Sequence, residues 1–208
     1  MNAPTPKPVI AIAGIPGSGK TALVTALMTA LAARLQKTAL LFLDGFETPA
    51  MRLSVVELAR WLKAGARFDQ FDIPGLAEAL TALRAGRPAL EPLSGRRVDP
   101  APLILFEMPL GRTHPPTAAM VDLLVWLDTP LDVALARNIL AWESETPRRP
   151  RDWLVRHMHE YLALTRAVLA AQAGAVAPAA DLRLDGTLPA DDLAAGLINL
   201  LKQKGFIA

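Results

Sequence analysis

The run Val9-Ile10-Ala11-Ile12-Ala13 is apolar at every position and is closed by Gly14. A strand with no polar face must be covered on both sides, and a parallel sheet between two layers of helix does this. Three further runs share that character, at 39–43, 103–106 and 123–127, and a weaker one lies at 182–184. Between them the apolar residues switch to helical spacing. In 21–35, Leu23, Leu27, Ala30 and Leu31 make one face, and helices are predicted over 54–64, 75–85, 131–142, 152–171 and 190–203. In the 152–171 segment the expected buried stripe is Leu154, Met158, Tyr161, Leu162, Thr165, Val168 and Leu169. The predicted fold is therefore α/β and three-layered, with a mostly parallel five-stranded sheet.

The chain has 208 residues, of which 52% are hydrophobic and 20% charged, enough for one well-packed domain over 1–208. Residues 1–8 read as a flexible Pro-rich lead. The segment 86–102, with Pro88, Pro92, Gly95, Pro100 and Pro102, reads as an irregular insert with room for a small hairpin. A net charge of +2, with no basic run longer than Arg148-Arg149-Pro150-Arg151, argues against a nucleic-acid surface. Cysteine is absent, which excludes disulfides, thiolate zinc sites and cysteine nucleophiles. The N-terminus lacks the apolar core of a signal peptide. Apolar runs reach about six or seven residues, well short of the ~20 that span a bilayer. A soluble cytoplasmic protein with no membrane partner is expected, and a homo-oligomer is compatible with the sequence.

Four of the five strands end in an acidic residue: Asp44, Glu107, Asp128 and Asp185. Ligands of open parallel sheets bind beyond those carboxyl ends. For Asp128 and Asp185 a plain turn-capping role is the stronger reading. For Asp44 and Glu107 the run Gly14-Ile15-Pro16-Gly17-Ser18-Gly19-Lys20-Thr21 reverses it. Glycines let a backbone fold around an anion with its N–H groups inward, and the helix that follows adds its positive end. In such a loop Lys20 reaches the β- and γ-phosphates of a nucleoside triphosphate, and the Thr21 hydroxyl ligates magnesium. The loop follows an apolar strand and opens a helix, the context that the pattern requires. Phosphoryl transfer to an alcohol also needs a group that takes the hydroxyl proton and a held metal. Asp44 is placed for the first role and can also face the metal; Glu107 can hold magnesium directly or through water.

Over nearly its whole length the chain resembles the uridine kinase and phosphoribulokinase group of P-loop kinases, which includes bacterial pantothenate kinase. Residues Ile12 to Thr21 are similar to the family phosphate loop. Leu43-Asp44-Gly45-Phe46 resembles its Asp-x-Phe motif, in which the Asp is the general base. Phe68-Asp69-Gln70-Phe71-Asp72 resembles the Asp-x-Phe-Asp segment that helps bind the acceptor. Leu105-Phe106-Glu107 resembles the strand ending in a metal-site acid, and Val125 through Arg137 the strand and helix that carry lid arginines. The resemblance implies a P-loop fold with a small lid, ATP as donor, Mg2+ as cofactor and a small-molecule hydroxyl acceptor. It assigns Gly14, Pro16, Gly17, Ser18, Gly19, Lys20, Thr21 and Arg137 to the nucleotide, and Thr21, Glu107 and Asp44 to the metal. Three departures are visible: Glu47 replaces the usual Tyr or His, Met108-Pro109 replaces a Gly, and Asn138 and Ala141 stand where further lid arginines are usual.

The expected activity is transfer of the γ-phosphate to a nucleoside, sugar or pantothenate-like alcohol. Two other readings are weighed beside it. A GTPase-type switch would show Asn/Thr-Lys-x-Asp after a strand, and none of the six lysines sits in that pattern. A catalytically weakened nucleotide-binding regulator fits the thinned lid but not the retention of Lys20, Thr21, Asp44 and Glu107 together. Asp69 is a candidate acceptor contact or, alternatively, a cap for the 75–85 helix. Arg112 is a further substrate candidate. The segment 143–151 is a candidate lid, or a solvated loop. His157 and His159, two apart on a helix, are poor joint metal ligands, and the four tryptophans read as packing.

Overall fold

The computed structural model describes residues 6–46, 53–144 and 150–208, apart from the side chain of Arg151. Each of the five predicted runs forms a strand: β1 (Val9–Ala13), β2 (Thr38–Phe42), β5 (Leu103–Glu107), β6 (Leu123–Asp128) and β7 (Leu182–Asp185). They make one parallel sheet in the order β2-β5-β1-β6-β7. The first strand in the chain lies at the centre, fully buried, with β5 and β6 on either side. Successive residues point to opposite faces, so each strand feeds two cores. Ile10, Ile12, Leu103, Leu105, Val125 and Leu127 meet α1 (Lys20–Ala32) and α8 (Ala190–Gln203). Ala11, Ala13, Leu41, Phe106, Leu124 and Trp126 pack on the other side.

That second layer contains α2 (Val55–Lys63), α3 (Leu76–Arg84), a short α4 (Pro115–Ala118), α5 (Leu131–Glu143), α6 (Arg151–Glu160) and α7 (Arg166–Val176). α2 starts at a capping box in which the Ser54 hydroxyl accepts from the Glu57 N–H, while the Glu57 carboxylate accepts from the Ser54 N–H. The insert at 86–102 contains an antiparallel pair, β3 (Ala89–Leu90) with β4 (Arg97–Val98).

The predicted 152–171 helix forms with one change. Between α6 and α7 lies a π turn, Tyr161–Thr165. Its extra residue shifts the phase of the apolar stripe, so Tyr161, Leu164, Leu169, Gln172 and Val176 are buried whereas Leu162, expected inside, is 74% exposed. The stretch Asp152–Ala179 is long and apolar enough to cross a bilayer by length and composition. The count of consecutive apolar residues overlooks it because the segment is alanine-rich and interrupted. Here its buried side chains pack onto the sheet.

Candidate functional site

The loop after the central strand is shaped by close approach. Gly17 (φ +78°) lies so near α5 that a Cβ there would sit 2.2 Å from the Ala134 carbonyl oxygen. Gly19 (φ +100°) is left-handed and opens α1 with no side-chain cap, so the first-turn amides, which have no intrahelical partner, remain available to an anion. The loop is braced from the β6–α5 side. Thr129 Oγ1 donates to the Ser18 carbonyl at 3.0 Å, and Arg137 Nη1 donates to the same carbonyl at 3.3 Å and to the Gly186 carbonyl at 2.7 Å. The Ser18 hydroxyl is buried inside the loop with no partner among the described residues. An unpaired buried hydroxyl costs free energy unless something donates to or accepts from it, and a phosphate oxygen is such a group.

Lys20 is only 8% exposed, and its ammonium donates to the carbonyls of Gly14 (3.0 Å) and Ile15 (3.1 Å). Burial lowers its pKa, and the charges of Glu107 and Asp44 pull it partly back. Glu107, the last residue of β5, pairs in register with both Ile12 and Phe42, which places it between the phosphate loop and β2. Its two carboxylate oxygens each accept from Thr21 Oγ1 at 3.4 Å. Burial raises the Glu107 pKa and the Asp44 charge adds to this, against the opposing pull of Lys20 and the Thr21 hydrogen bond. Asp44 stands in a single 3-10 turn, Leu43–Gly45, just past the end of β2, and is exposed. Lys20, Thr21, Asp44 and Glu107 line one cavity of 240 Å³ with Pro16, Phe42, Leu43 and Pro109. The residues fit a magnesium ion, which binds through one or two carboxylates while phosphates and water fill its remaining positions. Among the described residues no group of three or more His, Asp or Glu forms an all-protein metal cage.

Several supporting groups were not legible beforehand. Glu91, at the end of β3 and 2% exposed, reaches the free edge of β2, where its carboxylate accepts from the Phe42 N–H at 3.2 Å. Arg96 donates to it with Nε at 2.9 Å and through a second, closer contact, and also donates to the Leu40 carbonyl at 2.8 Å. Ser94 Oγ donates to it at 3.0 Å, and the Leu93 N–H donates to the Gly45 carbonyl at 3.1 Å. The hairpin thus clamps the strand and turn that present Asp44. Gln172 of α7, buried, donates to the Pro109 carbonyl at 3.0 Å and lies 3.5 Å from the Gly14 carbonyl. A cavity of 370 Å³ beside the loop is bounded by Gly19, Arg137, Gly186, Leu188, Pro189 and Leu193.

Two substrate candidates are placed elsewhere. Arg112 sits at the opposite rim of the sheet, donating to the Ala179 and Val121 carbonyls and to Asp181 at 2.7 Å. Asp181 in turn accepts from the Leu124 N–H at the start of β6, so Arg112 ties strand beginnings together and does not face the loop. The crossover from β5 carries the chain back to that rim, which nearness in sequence to Glu107 conceals. Asp69 forms an exposed ion pair with Arg67 at 2.6 Å and does not cap α3, whose cap is Gly75. Asp72, three residues on, lines two cavities instead. Asp128 pairs with Arg183, and Asp185 accepts from the Thr187 N–H at 2.9 Å, both in plain capping or pairing roles. His157 stacks on Trp153. Glu47, Arg148, Arg149 and most of the candidate lid lie outside the described residues.

No protein-family model matches the chain, and no curated protein matches it in sequence. Solved structures do. A candidate fructose transport system kinase from Silicibacter sp. TM1040 is 21% identical over 87% of this chain and 91% of its own, with a TM-score of 0.53. A candidate uridine kinase from Bacillus stearothermophilus is 15% identical over 88% and 90%, with a TM-score of 0.52. The fold is that of the P-loop kinases. The APS kinase from Mycobacterium tuberculosis, solved with AMPPNP and APS, is 17% identical over 96% and 99%, at a TM-score of 0.50.

Proposed function

We propose that the protein is an ATP-dependent small-molecule kinase that moves the γ-phosphate to a hydroxyl group of its acceptor. The observation that supports this most directly is the shared cavity. Lys20 and Thr21 of the phosphate loop, Asp44 from the turn after β2 and Glu107 from the end of β5 all face one space. The similar structures are named as kinases of small hydroxyl-bearing compounds, and one carries an ATP analogue.

In this reading the triphosphate lies on the first-turn amides of α1, with the base in the adjoining cavity beside Arg137 and Gly186. Thr21 and Glu107, with Asp44 near, would hold a magnesium ion, which would supply positive charge against the triphosphate. Asp44 accepts the proton of the acceptor hydroxyl as that oxygen bonds to the γ-phosphorus. The bond from phosphorus to the β-γ bridging oxygen breaks, and ADP leaves with that electron pair. Lys20, freed from the carbonyls of Gly14 and Ile15, balances the charge that moves onto the bridging oxygen. Arg137, already bonded to the loop, acts as a brace and wall of the nucleotide site. We place the enzyme in the cytoplasm, acting on a diffusible metabolite.

The test is Asp44→Asn. MgATP affinity is expected to persist while turnover drops by roughly 10²–10⁴, the usual worth of general-base assistance. Unchanged turnover removes Asp44 from the chemistry, and failure of the wild-type protein to bind MgATP at millimolar levels ends the kinase reading.

A further inference from the structure

Resting on that phosphotransfer reading, we infer that the acceptor is an uncharged alcohol carrying one apolar-faced ring, not a bare polyol and not a carboxylate or phosphate ester. Next to the cavity of Lys20, Asp44 and Glu107 lies a hollow of 160 Å³. Leu43 belongs to the walls of both spaces, and Leu110 of the hollow directly follows Pro109 of the cavity. A molecule with its hydroxyl at Asp44 therefore has the hollow as its nearest lodging. Its apolar walls include Leu43, Leu58, Trp61, Phe68, Phe71 and Val168. An engineered apolar cavity of about 150 Å³ admits benzene, so the space corresponds to one six-membered ring.

The aromatic wall is built to stay in place. Trp61 meets Phe68 edge to face at 4.8 Å and lies 5.5 Å from Phe71. Its Nε1–H is already donated to the Arg67 carbonyl at 3.1 Å, so the indole offers the hollow only apolar surface. Among the described residues that line the hollow, Asp72 is the one polar side chain. It stands where the hollow meets an outer cleft with Glu57, Arg60 and Gln70, and suits an N–H or O–H donor on the far edge of a ring. A polyol in this space would leave hydroxyls without partners, each costing roughly ten- to a hundred-fold in affinity. An anion lodged in the hollow would meet apolar walls and the Asp72 carboxylate, with no Lys or Arg among the described residues that line it.

The experiment uses the full chain with MgATP and six probes. Phenyl β-ribofuranoside and uridine carry a flat, apolar-faced, uncharged ring in addition to the sugar, methyl β-ribofuranoside and fructose lack that flat ring, and shikimate and pantothenate are carboxylates. Phosphorylated product is read by mass spectrometry, and probe binding in the presence of AMPPNP by calorimetry. The ring-bearing pair is expected to exceed the other four at least tenfold in kcat/KM. Val168→Phe, which fills the hollow, is expected to raise KM for that pair at least tenfold, with MgATP affinity reporting that the variant is folded. Preference for a polyol or a carboxylate, or indifference of the ring-bearing pair to Val168→Phe, overturns the inference and leaves the kinase reading standing. Binding of the phenyl riboside that Val168→Phe abolishes, with none of the probes phosphorylated, upholds the hollow as a ring site and overturns the hydroxyl-transfer reading. Neither binding nor phosphorylation of the ring-bearing pair overturns the inference.

Discussion

Removal of the Glu91 carboxylate should unfasten the strand that carries Asp44. In the wild-type protein this buried group accepts hydrogen bonds from the Phe42 N–H, Ser94 Oγ and Arg96. Glu91→Ala leaves the Phe42 N–H without its partner on a covered sheet edge, at a cost of about 1–3 kcal/mol. It also strips Arg96 of its counter-charge. Breaking a fully buried pair costs about 3–5 kcal/mol, but the Arg96 side chain is 38% exposed and can turn to water, so only a fraction of that applies. A net loss of about 3 kcal/mol follows, or a fall in Tm of roughly 6–12 °C at about 2–4 °C per kcal/mol for a chain of this size. Glu91→Gln, which keeps an acceptor for Phe42, should recover about half of this. Burial pushes the Glu91 carboxyl up, yet the hydrogen bonds from Arg96, Phe42 and Ser94 and the Arg96 charge outweigh it and hold the pKa below its ordinary 4.5. A depressed acid stabilises the fold above that ordinary value and ceases to do so as pH falls through the depressed one. The gap between wild type and Glu91→Gln in thermal unfolding should therefore be full at pH 6 and close toward pH 3. A fall in Tm of less than about 2 °C for Glu91→Ala at pH 7, or a gap that does not change with pH, refutes the clamp.

Glu107 has the opposite sign. Its raised pKa means that the fold favours the protonated form, so stability is lost as pH rises through that value. Glu107→Gln should leave Tm at pH 7 equal or higher while magnesium-dependent turnover falls by roughly 10² or more; a lower Tm contradicts the burial argument. Gly17→Ala puts a Cβ 2.2 Å from the Ala134 carbonyl oxygen at a positive φ, and urea unfolding should show a loss of about 2 kcal/mol or more. Arg112→Ala should cost about 1–2 kcal/mol through its lost carbonyl and Asp181 bonds. Its KM values for nucleotide and acceptor should match the wild type, and a change in acceptor KM would return Arg112 to the substrate site.

What could be read along the chain was whatever a short segment settles for itself. The all-apolar run Val9–Ala13 has no choice but a doubly covered strand, and the glycines after it have no use in a helix or a strand, so the strand, loop and helix came out in place. The phase of the 152–171 stripe did not, because a π turn is not a property of local hydrophobicity; with that turn in place Tyr161 and Leu164 are buried and Leu162 is exposed. Asp69 and Asp72 stand three residues apart in one aromatic-containing segment, and only the fold sends the first to Arg67 and the second to the cavities.

The sequence by itself determined the strands, the order of helices and the phosphate-binding loop, since periodicity and backbone chemistry act over a few residues. Tertiary structure alone decided who meets whom. Parallel strands require long crossovers, and these bring Thr21 to Glu107 across 86 positions and Ser18 to Arg137 across 119. The same crossovers carry Arg112 to the far rim, five residues after Glu107. Nearness in such a sheet depends on strand order, which no local pattern encodes.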